Sequence, residues 1–74
     1  MAQEKVEAPM PGKILSVDVK VGSKVVEGET TLCVLESMKM ENPLVAPVSG
    51  TVKEVKVTPG QTVQAGEVLA IIEY

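Results

Sequence analysis

The chain contains no histidine, tryptophan, phenylalanine or arginine. Without histidine it lacks the commonest metal ligand and the commonest general base at neutral pH. Without arginine, and with its seven lysines dispersed and a net charge of −3, it has no basic stripe for nucleic acid. A single cysteine, Cys33, rules out an internal disulfide. It sits in the apolar run Leu32-Cys33-Val34-Leu35 and reads as a small buried hydrophobe, not an activated nucleophile. No apolar run is long enough to span a bilayer, and no signal-peptide pattern precedes the chain, so direct membrane insertion is not expected. A single cysteine and no signal-peptide pattern fit a cytoplasmic protein. Aromatics are reduced to Tyr74.

What remains is aliphatic. Fourteen of the 74 residues are valine, and such β-branched enrichment favours strands. A chain of this length makes one small domain that can bury only a modest core. No segment keeps a 3.6-residue apolar period with caps, so essentially no helix is expected.

Shifted by 38 residues, the sequence lies on itself without a gap. Ala8-Pro9 falls on Ala46-Pro47, Gly12 on Gly50, and Val17 and Val19 on Val55 and Val57. Gly22 falls on Gly60, Val25 on Val63, and Gly28-Glu29 on Gly66-Glu67. Glycines in register imply shared backbone geometry, and Gly22, Gly28, Gly60 and Gly66 read as turns. Two copies, each too small to fold alone, predict a closed two-fold domain. Val17, Val19 and Val21 alternate with Asp18 and Lys20 as a half-buried strand, and Val55 and Val57 do the same in the second copy. Ile14 and Val52 break this phase at matching places, which predicts a bulge at each. Thr30–Glu36 and Glu67–Glu73 are further apolar runs of strand length. The pattern predicts an all-β fold of about eight short strands, two similar four-stranded halves closed into a flattened antiparallel barrel or sandwich.

The repeat also locates one lysine. Subtracting 38 from Lys39 gives residue 1, so under the pseudo-two-fold Lys39 is the counterpart of the chain ends. The tip that carries it and the two termini are therefore expected at opposite poles. Leu32–Ser37 and Glu41–Ala46 read as strands joined through Met38-Lys39. Two-residue hairpins favour Asn-Gly or Gly-containing turns, because both central residues take positive φ. Met-Lys breaks that rule in a chain that otherwise obeys its rules, which points to function. Pro43 suits an edge strand, where one ladder donor can be missing.

Met38-Lys39-Met40, with the acidic Glu36 upstream, resembles the signature of the biotinyl domain family: the biotin carboxyl carrier modules of biotin-dependent carboxylases, decarboxylases and transcarboxylases. The likeness runs from about Val6 to Ile72, leaving residues 1–5 as a tail or linker remnant and 6–74 as the domain. It implies a barrel-sandwich hybrid of two four-stranded sheets with pseudo-two-fold symmetry. It implies that Lys39 carries biotin through an amide, on an arm of roughly 15 Å. Partners implied are a biotin protein ligase, a biotin carboxylase or decarboxylase, and a carboxyltransferase; the domain itself is a carrier and not an enzyme. Met38 and Met40 would meet these partners. Glu36 and Glu41 either contact the ligase or keep the tip soluble. Some family members carry an extra loop in the first half. The gapless repeat leaves no space for one, which favours the decarboxylase, transcarboxylase and multidomain-carboxylase side. Two rivals share the fold: a lipoyl domain, which typically shows Asp-Lys-Ala at the tip, and an unmodified adaptor, which has no reason to keep the motif.

Overall fold

A computed structural model describes residues 1–74. Its regular elements are all strands: β1 (Gln3–Glu7), β2 (Gly12–Val17), β3 (Lys24–Val25), β4 (Thr31–Ser37), β5 (Met40–Val45), β6 (Gly50–Val55), β7 (Thr62–Val63) and β8 (Val68–Glu73). They form two four-stranded sheets, ordered β1-β8-β6-β3 and β5-β4-β2-β7, with every pairing antiparallel. This is the flattened all-β architecture expected from the valine pattern. β2 and β6 begin 38 residues apart, as do β3 and β7, and the same shift carries one sheet order onto the other.

The two four-stranded halves of the chain, β1–β4 and β5–β8, interleave. Neither sheet is one half of the chain. The first takes its edges, β1 and β3, from the first half and its centre, β8 and β6, from the second; the other sheet reverses the roles. Strand alternation looks the same in either arrangement, so the sequence pattern cannot distinguish them. Because each half supplies only the edges of one sheet and the centre of the other, neither completes a sheet alone.

The bulges fall where the apolar phase breaks. β2 slips against β4 between Ile14 and Ser16, and β6 against β8 between Val52 and Glu54. Each slip keeps Ile14 and Val52 fully inside and bends the strand as bulges do. The strands then end sooner than alternation implied, at Val17 and Val55. Beyond them the chain keeps one sheet-like bond, Asp18 N–H to Leu32 O and Lys56 N–H to Leu69 O, each at 2.8 Å. Val57 is buried and Val19 partly so, but Val21 is exposed, against expectation. Inward alternation outlasts the ladder because a single extended segment can point a valine into the core without a partner strand. Gly22 then turns the chain at φ 95° and Gly60 at 91°, values costly for any residue with a Cβ.

The proposed tail boundary at residue 5 also moves. β1 starts at Gln3, and Gln3, Glu4 and Lys5 pair with Glu73, Ile72 and Ile71. Ala2 and Tyr74 exchange two backbone hydrogen bonds of 2.9 Å. An edge strand needs only its backbone to join a sheet, so polar side chains gave no sign of it. Pro43 does lie on an edge strand, β5.

The core is wholly apolar. It has two clusters: one holds Val6, Val52 and Ile72, the other Ile14, Leu35 and Val63. Chain ends leave from strands of the first cluster, whereas the β4–β5 hairpin leaves from strands of the second.

Candidate functional site at the hairpin tip

In the β4–β5 ladder Leu35 stands opposite Asn42, Glu36 opposite Glu41 and Ser37 opposite Met40. Met38 and Lys39 are therefore the whole turn. Their φ values are 54° and 65°, and no other non-glycine residue has a positive φ. Two consecutive left-handed residues make the mirror-image turn that matches the right-handed twist of a hairpin. For L-residues with a Cβ this conformation costs roughly 1–2 kcal/mol each. Burial does not offset it, because Met38 is 92% exposed, Met40 67% exposed, and Lys39 is exposed between them. The expected turn, and the expected breach of turn chemistry, both fall at these two residues.

Lys39 forms no ion pair; the two in the structure are Lys53–Glu73 and Lys56–Glu54. Its side chain is thus unpaired at the end of a two-strand projection. Glu36, half-buried on β4, lies two rungs back and faces Glu41. Like charges directly opposite are destabilising. Lys13 of β2 occupies the next place along that rung but lies beyond ion-pair distance of Glu36. The tip thus has an acidic shoulder. Met38, Lys39 and Met40 come together at the tip, and Glu36 stands on the strand below them.

Two contributors were missed from the sequence. Asn42 sits half-buried on β5 and donates from Nδ2 to Met40 O at 3.1 Å and to Leu35 O at 3.4 Å. Its only sequence signal was a poor strand former inside a strand. Gly12 opens β2, the strand that pairs alongside β4 of the hairpin. A Cβ there would strike the Glu36 carbonyl oxygen and approach the Leu35 side chain to 2.9 Å. Its recurrence as Gly50 was visible, but not its reason.

No three Cys, Asp or Glu side chains converge on a common point. Cys33 is buried, and its thiol is pushed above the ordinary value of 9.0 by desolvation first and by the charge of Asp18 second. The arrangement can hold an acyl group on an amine and present it.

Known proteins agree with this geometry. A family profile described as "Biotin-requiring enzyme", that of the biotin/lipoyl family, matches residues 4–72. The biotin carboxyl carrier protein of Streptococcus mutans is 51% identical over 71 residues, covering 96% of this chain and 54% of that protein. Mitochondrial pyruvate carboxylase of Rattus norvegicus is 44% identical over 69 residues, covering 93% of this chain but 6% of the enzyme. Among solved structures, a single-chain, multi-domain long-chain acyl-CoA carboxylase superposes with a TM-score of 0.86 at 35% identity, over 93% of this chain and 7% of that one. Kluyveromyces lactis urea carboxylase superposes with a TM-score of 0.90 at 27% identity, over 99% of this chain and 6% of that one. The chain thus spans about half of one relative and a small part of the others. An all-β module of this size, with an exposed lysine at its hairpin tip, belongs to the biotin-requiring enzyme family as a biotin carboxyl carrier domain, a carrier and not itself a catalyst.

Proposed function

We propose that Lys39 is the residue to which biotin is joined, and that the domain carries a carboxyl group between two partner active sites. The observation that carries this is the tip turn: two left-handed, exposed, non-glycine residues with an unpaired lysine as the second. Attachment forms an amide between Nζ of Lys39 and the biotin carboxyl, with loss of water, and makes the formal charge one unit more negative than −3. The residues fit the group, since an exposed primary amine with no competing partner is all that such a bond requires. Bound biotin supplies a ring nitrogen that takes up and gives up the carboxyl group. The chain's own residues anchor, extend and present. Tethering raises the effective concentration at both sites.

The partners we assign are a biotin protein ligase, a biotin carboxylase or decarboxylase, and a carboxyltransferase. Met38 and Met40 contact them, because flexible polarisable side chains adapt to several surfaces. Glu36 contributes charge to the same contact surface. The 38-residue correspondence of strands and turns supports reading the chain as an internal repeat. In that reading the tether sits at one pole and the cargo at the other.

Intact mass and peptide mapping test the site. Protein from biotin-replete cells is expected to carry one biotin, on Lys39. Lys39→Arg should fold normally and lose all avidin binding; avidin capture of that variant would refute the assignment.

A further inference from the structure

We infer that Asn42 is a positioning residue, whose side-chain amide holds the β4–β5 turn in the left-handed form that presents the Lys39 amine. This rests on the reading of Lys39 as the attachment residue.

Asn42 stands opposite Leu35, which is fully buried, so its side chain lies on the inward face of the hairpin. From there Nδ2 reaches a carbonyl on each strand, that of Met40 just after the turn and that of Leu35 on β4. A carbonyl oxygen has two lone pairs, so each can accept a ladder N–H and the Asn42 amide together. The amide thus straps the two strands immediately below the strained residues.

Nothing else is placed to do so. Met38 and Lys39 are exposed, and no other side chain makes a hydrogen bond to residues 36–41. Strained backbone persists only where its surroundings over-determine it. Here those surroundings are the closing rung Ser37–Met40 and the Asn42 strap. A residue needed only to finish the core would be apolar on this face, as Leu35 and Ile14 are. The polar choice marks the two donors as the useful feature.

The test uses the unmodified domain with Asn42→Leu, which suits the inward face but has no donors, and Asn42→Asp, which keeps the shape without the donors. In both, the melting temperature is expected to stay close to wild type or, for Leu, to rise. NMR should report loss of the left-handed couplings at Met38 and Lys39 and faster amide exchange at Ser37 and Met40. Biotinylation by a biotin ligase with biotin and ATP should slow by about tenfold, chiefly through kcat, as expected for a misplaced reacting group. Unchanged turn couplings and exchange, unchanged biotinylation, or failure of both variants to fold would each overturn the inference. A parallel Lys39→Arg sample keeps the two ideas apart. Biotin on that variant refutes the attachment residue, while the turn couplings still decide whether Asn42 shapes the tip.

Discussion

Met38 occupies a conformation its side chain disfavours, at a position where that side chain touches almost nothing. Removing its Cβ relieves the strain of roughly 1–2 kcal/mol but adds chain entropy to the unfolded state, roughly 0.5–1 kcal/mol. Met38→Gly should therefore stabilise the domain by up to about 1.5 kcal/mol, a rise in Tm of several degrees. Met38→Ala and Met40→Ala should leave Tm nearly unchanged. All three variants should slow biotinylation or carboxyl transfer, measured with the cognate partners. A large loss of stability with normal transfer would make the methionines packing residues. Cys33 gives a second prediction at this scale. Burial raises its pKa in the folded state, so folding favours the protonated thiol. That contribution is complete below the unfolded thiol value and is lost as pH rises through the folded one. Stability should fall in alkaline solution from about pH 9 upward, and Cys33→Ala should flatten that limb in denaturant titrations at a series of pH values. The native thiol should resist alkylation until the domain unfolds.

Among the elements, the hairpin depends on the strand beside it, β2. Gly12 lets β2 approach β4 at Glu36, two rungs back from the turn. Gly12→Ala should cost about 1–3 kcal/mol through the clash with backbone and disturb the tip, read as chemical-shift changes at Ser37–Met40. Gly22→Ala meets open space and should be destabilising only through its φ of 95°, leaving the tip spectrum unchanged. Much at this scale was legible beforehand. The bulges appeared because Ile14 and Val52 stay inward while their neighbours change phase, and the turn appeared because Met-Lys stands where glycine is favoured. Strand ends were not legible, since Val57 keeps pointing inward after β6 has lost its partner. β1 was hidden because backbone pairing on an edge leaves no apolar pattern. Asn42 was hidden for a related reason: a single side-chain bond has no period.

At the scale of the molecule the domain measures 36 × 20 × 17 Å, an elongated body with the two chain ends leaving one core cluster and the lysine tip leaving the other. The reciprocal bonds between Ala2 and Tyr74 have a mechanical consequence. Tension applied through the two ends acts on one end of the β1–β8 pair and peels its rungs singly, like a zipper, instead of shearing them all together. A tug on flanking segments therefore strips β1 while the sheet that bears the lysine, β5-β4-β2-β7, stays outside the line of force. Pulled by its ends in an optical trap, the domain should yield at low force. Pulled between Lys39 and one terminus, across its length, it should hold to a distinctly higher force.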